Sequence, residues 1–312
     1  MERMVPKEIP DYLIKRMKLK DIAFEILGLL VLFFVITFVF SIFIDLLIDG
    51  WDRLNIKFLT SYPSRRPENA GILSAWVGTL YVMAGAIFWS VLLGVPAGIY
   101  LEEYSRKNKI ASFIEININN LAAVPSIIYG LLALGIFVYR FKLGESILTA
   151  GLTLGLLMLP VIVVSTRESI RRIPRSIREA AYAMGATRWE LIKDHILPYS
   201  FGGILTGVII AASRAIGETA PLITIGALTF IAFLPTSPFT DEFPFFSFEN
   251  FKDMLMSPFT VIPIQMFNWI SRPQKAFHEN AAAAGIVLMI ATIALNAIAY
   301  YVRYKYRKRY SW

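Results

Sequence analysis

RESIRRIPRSIREAAYAMGATRWELIKDHILP, residues 167–198, is a mostly polar stretch in an otherwise strongly apolar chain. It is too charged to sit in lipid, yet it is patterned like two short helices joined at Gly185. Ser176 stands three residues before Glu179, the spacing of a capping box that would open the first helix. Ala180, Ala181 and Met184 follow as an apolar stripe, and Gly185 can take the left-handed conformation that ends a helix. Thr187 can cap the second helix with Glu190 three residues on, and Pro198 marks the entry to the next apolar run. Two short helices with a bend between them make a projecting knob. An amphipathic connector lying on the inner leaflet, its arginines against anionic lipid, fits the same residues. Physics alone leaves both readings open.

Outward from this stretch, composition fixes the class. Of 312 residues 56% are hydrophobic and 17% charged, with mean hydropathy +0.57. A soluble domain carries about 25% charged residues. Six apolar runs have the roughly 20 residues needed to cross hydrocarbon: 24–48, 74–101, 112–138, 146–166, 200–232 and 281–302. The first is too long for a cleavable signal peptide, and no small-residue cleavage site follows it. Zero cysteines exclude disulfides, cysteine-based zinc sites and thiol nucleophiles, and two histidines, His195 and His278, make a poor metal cluster.

Lysine and arginine then orient the spans. With the N-terminus inside, segments 1–23, 102–109, 167–199 and 303–312 carry six, three, seven and five, against nine in the loops 49–73, 139–145 and 233–280. Both termini are therefore expected in the cytoplasm, and the net charge of +8 is mainly a topology signal. The basic tail abuts a span, which argues against nucleic-acid binding. The outside loop, 233–280, is rich in proline and phenylalanine and is expected to fold back onto the outer membrane face. Trp51 and Trp269 read as interface anchors.

One charge pair lies inside an apolar run. Arg214 and Glu218 are four residues apart, which places them on one helical face. A charge at the centre of a span costs about 2.5–3.5 kcal/mol on insertion scales, so the two need each other or a watery path. Either they form a self-neutralising structural pair, or Arg214 faces a pore and attracts an oxyanion through planar, bidentate donors. Gly203, Gly207, Ala211 and Ala215 recur every four residues on the same run, a spacing that lets helices approach closely, within the chain or against a partner. Pro96 and Pro125 are expected to bend or break their spans. Ser126, beside freed backbone carbonyls, suits a polar lining.

Glu179-Ala180-Ala181, Gly185 and Leu197-Pro198 resemble the EAA loop of ABC-importer permeases. That pattern places an isoleucine where this chain has His195, with Ile196 beside it. The resemblance implies that Glu179, Ala180, Ala181, Gly185, Leu197 and Pro198 couple to a separate ATPase subunit. It narrows further. Arg214-Ala215-Ile216-Gly217-Glu218-Thr219-Ala220-Pro221-Leu222 is similar to phosphate-specific permeases of the PstA type, as are 98–104, 124–130 and 263–270. These blocks span roughly 75–300, most of the chain.

The resemblance implies an all-α polytopic protein of six transmembrane helices with the type I importer permease fold, working by alternating access. The permease domain would cover 74–302, after a basic N-terminal segment (1–23) and a first helix (24–48), and before a basic tail (303–312). It further implies inorganic phosphate as substrate, with Arg214, Glu218, Thr219 and Ser126 along its path. Expected partners are a sister permease (PstC type), an ATPase dimer (PstB type), an extracytoplasmic phosphate-binding protein and membrane lipid. No cofactor is expected. No GxxxxGK[ST] phosphate loop occurs, so ATP hydrolysis must come from another subunit. Rival readings are a permease for molybdate or sulfate, and a proton-coupled secondary transporter using Glu218. A membrane enzyme lacks a credible nucleophile and base.

Overall fold

A computed structural model of the chain describes residues 11–105, 109–227, 230–239 and 245–309. The outermost residues of both basic ends, 1–10 and 310–312, and residues 240–244 of the aromatic loop lie outside that range. The described residues hold helices and turns and no named strand. Two compact units divide between Asp49 and Gly50. The first is the greater part of one helix, α1 (Asp11–Gly50), whose apolar residues from Leu27 to Phe40 are exposed and suit hydrocarbon.

The second unit begins with a short α2 (Ile56–Thr60), capped by Asn55, whose side chain accepts the Phe58 amide. It then builds around two long helices, α3 (Leu73–Ile99) and α6 (Ile147–Arg171). Small residues bring them together. A Cβ at Gly151 would stand 3.3 Å from the Gly85 backbone, and one at Gly98 would press on Thr166 at 2.7 Å. In lipid, where tails are as apolar as leucine, this close backbone approach is what favours association. The core between them holds Val82, Ala86, Leu154, Met158 and Ile162.

α9 (Leu197–Ala215) packs on α6 and adds Val208, Ala211 and Ala215 to that core, and α13 (Lys275–Arg309) packs on α9. Among the described residues, five helices are long and apolar enough to cross a membrane. A bent pair makes a sixth if it counts as one span: α4 (Lys109–Ala123) and α5 (Ser126–Ala133), the latter continued by π-type turns to Arg140, with 107° between them. Pro125 stands at the break with extended ψ and no amide to donate. Pro96 behaves differently: α3 runs through it, and the irregularity comes later as a π-type turn over Tyr100–Tyr104.

The aromatic loop folds onto protein. α11 (Phe248–Met256) and α12 (Ile262–Ile270) return it to α3, where the Ile262 amide donates to Thr79 Oγ1 at 3.0 Å, and to α6, where the Ile147 amide donates to the Ser257 carbonyl at 3.0 Å. Trp269 is therefore no interface anchor: it is fully buried against Phe58, ring centroids 6.0 Å apart. Its apolar body is satisfied by side chains instead of by the membrane boundary.

Candidate coupling loop and translocation site

The polar stretch folds as two helical pieces, with one change of cap. α7 (Arg175–Ala183) starts directly after Pro174, whose ψ of 143° sets the boundary, so Ser176 lies inside the helix and makes no capping hydrogen bond. A proline with extended ψ already fixes the N-cap, and Ser176 falls two residues too late. At the other end Gly185 has φ +86°. Its amide donates to the Tyr182 carbonyl at 3.0 Å and the Ala186 amide to Ala181 at 3.0 Å, the paired bonds of a Schellman stop. Thr187 opens α8 (Arg188–Glu190) with a complete capping box: its amide donates to Glu190 Oε2 at 2.7 Å and its Oγ1 accepts the Glu190 amide at 3.3 Å. A π-type turn, Leu191–Ile196, leads into Leu197, Pro198 and α9.

Sidedness divides the loop's residues. Ala181 is buried with Ile170, Ile173, Leu191 and Ile196, which anchors α7 to the turn before α9. Glu179, Ala180 and Tyr182 are exposed, as are Met184, at 89%, and Trp189. Ala181 thus does packing while its neighbours face outward. His195 is half-buried, and Ile196 beside it takes the fully buried position.

An ion-pair lattice that sequence reasoning missed ties this loop to the end of α3. Arg178 on α7 donates to Glu103 Oε1 through Nη2 at 2.7 Å and Nε at 3.1 Å, and its Nη1 reaches the Ile173 carbonyl at 2.7 Å. Glu102 pairs with Arg171 at 3.0 Å and Arg167 at 3.5 Å, and Arg167 reaches Glu115 on α4 at 2.9 Å. The Arg188 guanidinium sits over the Tyr104 ring, 5.4 Å from its centroid. Two adjacent acids just beyond an apolar run, opposite an arginine-rich loop, were the available signal.

The charged pair of the fifth apolar run is not on one continuous helix. α9 stops at Ala215, and the Gly217 and Glu218 amides close a turn onto the Arg214 and Ala215 carbonyls at 3.3 and 3.1 Å. Arg214 Nε still lies 3.9 Å from Glu218 Oε1, with the arginine side chain 65% exposed and the glutamate 19%. That is a loose contact, at the edge of an ion pair. Thr219 follows and leads α10 (Ala220–Thr224), which packs on α5 at Gly130. A Cβ there would overlap Thr224 Oγ1 and come within 2.6 Å of the Pro221 carbonyl oxygen. Ser126 opens α5, about one turn from Gly130. No hydrogen bond joins Ser126 to Arg214 or Glu218 among the described residues. Tyr129 spans the Pro125 break by donating to the Leu121 carbonyl at 2.7 Å.

The small-residue series faces α6 of the same chain: a Cβ at Gly203 or Gly207 would overlap the Ser169 or Ser165 hydroxyl, and Ala211 and Ala215 are buried in the core. Arg214 lies one heptad beyond Gly207 on the same helix, and its side chain is 65% exposed. Chemically the arrangement offers an open cation at the end of an apolar helix, a carboxylate loosely beside it, and a polar loop with exposed Tyr182, Met184 and Trp189 at the other end.

Comparison with known proteins gives a consistent result. Residues 94–311 match the family described as binding-protein-dependent transport system inner membrane component. The chain is 30% identical over 260 residues to the probable ABC transporter permease protein YqgI of Bacillus subtilis, covering 83% of this chain and 86% of that one. It is 30% identical over 256 residues to the phosphate transport system permease protein PstA of Yersinia pestis, covering 80% and 78%. Among solved structures, a bacterial alginate ABC transporter in complex with a pentasaccharide-bound periplasmic protein aligns with TM-score 0.58 at 16% identity, over 91% of this chain and 94% of that one.

Proposed function

Because the chain belongs to the binding-protein-dependent transport system inner membrane components, and is thus an ABC importer permease subunit, we propose that its substrate is inorganic phosphate. The observation that carries the substrate is Arg214, a guanidinium 65% open at the end of an apolar helix and only loosely engaged by Glu218. An arginine cannot shed its proton, so at membrane depth it needs water or an anion. The PstA relatives support the same class.

In this reading the chain supplies half of the translocation pathway, a sister permease of the PstC type the other half. A binding protein delivers phosphate on the outer face, and a PstB-type ATPase dimer grips the 175–198 loop through Glu179, Ala180 and the exposed Tyr182, Met184 and Trp189. The loop side faces the cytoplasm in this reading, which the lysine and arginine bias supports. Alternating access then follows when the ATPase pulls α7. The test is reconstitution with the partner subunits in vesicles. ATP-dependent uptake of phosphate with sulfate excluded supports the proposal; equal uptake of sulfate, or uptake without ATP, overturns it.

A further inference from the structure

The open face of α9 runs from Arg214 toward the loop end through Ile210, Thr206 and Gly203, about 12 Å from Arg214 to Thr206 at roughly 1.5 Å per residue. There a cavity of about 570 Å³ opens between α6, α9 and the end of α13. Its chemistry differs from the apolar surface around it. Ser165, Ser169 and Thr206 bring hydroxyls, Arg172 and Arg303 bring guanidinium groups, and Glu168 brings a carboxylate. Gly203 and Gly207 carry no side chain, which lets α9 approach the Ser169 and Ser165 hydroxyls.

Charge pairing sets two of these residues apart. Arg167, Arg171 and Arg178 all have glutamate partners, and Arg171 also takes Glu168 at 3.4 Å. Arg172 and Arg303 have no carboxylate within 4.0 Å among the described residues. Two exposed guanidinium groups without an ion-pair partner at one cavity suit an oxyanion. The hydroxyls sharpen which kind. Ser165 donates to the Ile162 carbonyl at 3.0 Å, Ser169 to Ser165 at 2.6 Å and Thr206 to Gly202 at 2.7 Å. Each donates its one proton to its own helix in this arrangement and so presents lone pairs toward the cavity. An anion without a proton would meet repelling lone pairs there, whereas hydrogen phosphate carries a P–OH that donates.

We propose that this cavity is a second oxyanion station which takes hydrogen phosphate in preference to fully deprotonated oxyanions such as sulfate. Arg172 and Arg303 hold the charged oxygens, and the Ser165, Ser169 and Thr206 hydroxyls accept from the P–OH. The inference rests on the reading of α9 as part of the oxyanion path. It adds a proton-based selection step one stage beyond Arg214. A phospholipid headgroup presents related chemistry, but a phosphodiester has no P–OH.

The test is broadening of the inorganic phosphate 31P resonance by the detergent-solubilised importer without its binding protein. The parent should broaden it, and sulfate should compete at least about tenfold less well. Arg172→Gln with Arg303→Gln should weaken the effect by at least about tenfold, while Arg214→Gln should leave a substantial part of it. Ser169→Ala with Thr206→Val should bring sulfate and phosphate closer together. Equal broadening by the double arginine variant overturns the station. So does sulfate competing as well as phosphate, or phosphatidylglycerol displacing phosphate at matched concentration, which would mark a headgroup site. Absent phosphate uptake in the parent would instead overturn the proposed substrate and leave this binding result standing.

Discussion

Arg178 of α7 grips Glu103 at the end of α3 with two donors on one oxygen, Nη2 at 2.7 Å and Nε at 3.1 Å, in a contact only 8% exposed on the glutamate side. The same guanidinium also holds the Ile170 and Ile173 carbonyls, so four of its five N–H donors are used. A knob that moved alone would do nothing for a pathway between helices. This contact, with Arg188 of α8 over Tyr104, ties α7 and α8 to the π-type turn that follows α3.

Breaking one side of a largely buried ion pair leaves an unmatched charge, at a cost of about 3 kcal/mol. Glu103→Gln and Arg178→Met should each lower thermal stability. They should also cut phosphate uptake more than ATP hydrolysis in the reconstituted importer. The reversed pair, Glu103→Arg with Arg178→Glu, should recover part of the uptake. Equal coupling in the single variants would show that the contact transmits nothing.

The outward residues of the knob should behave in the opposite way. Glu179→Lys and Met184→Glu change exposed positions, where substitutions usually stay within about 0.5 kcal/mol of parent stability. Thermal melting should therefore be close to parent while the ATPase fails to co-purify. A variant that retained the ATPase and transported normally would remove these residues from the docking surface.

Gly185→Ala tests the bend itself. At φ +86° an L side chain costs about 1–2 kcal/mol. The expected outcome is a modest loss of stability with a larger loss of ATPase binding, read by melting and by affinity. Unchanged binding would mean that the angle between α7 and α8 is immaterial.

Gly130→Ala should part α10 from α5. Its Cβ meets the Pro221 backbone as well as Thr224, so trimming Thr224 to alanine cannot relieve it. Overpacking of this kind costs about 1–3 kcal/mol. A destabilised Gly130→Ala that Thr224→Ala fails to rescue is the predicted result; full rescue would place the clash on the threonine alone.

Much of this architecture is legible in the sequence because membranes impose blunt rules. Apolar length locates the spans, and helix-end chemistry places Gly185 and the Thr187–Glu190 cap. What stays hidden depends on distant partners. α9 ends at Ala215 although the apolar run continues, because α10 is claimed by Gly130 on α5. Ser176 looked like a cap until Pro174 began the helix before it. Trp269 looked lipid-facing because period and composition cannot distinguish a lipid contact from burial against Phe58. Glu103 and Arg178 are 75 residues apart, and nothing local announces that they meet.

Arg214 carries the central claim, and one measurement tests it most directly: ATP-dependent phosphate uptake by vesicles containing the assembled importer with Arg214→Gln. Losing a charge-assisted contact to the anion should lower uptake by at least about tenfold. Complex assembly and the melting temperature should stay near parent, because the side chain is mostly exposed and its one ion partner is 3.9 Å away. Phosphate uptake at the parental rate would contradict the account and reduce Arg214 to a structural cation.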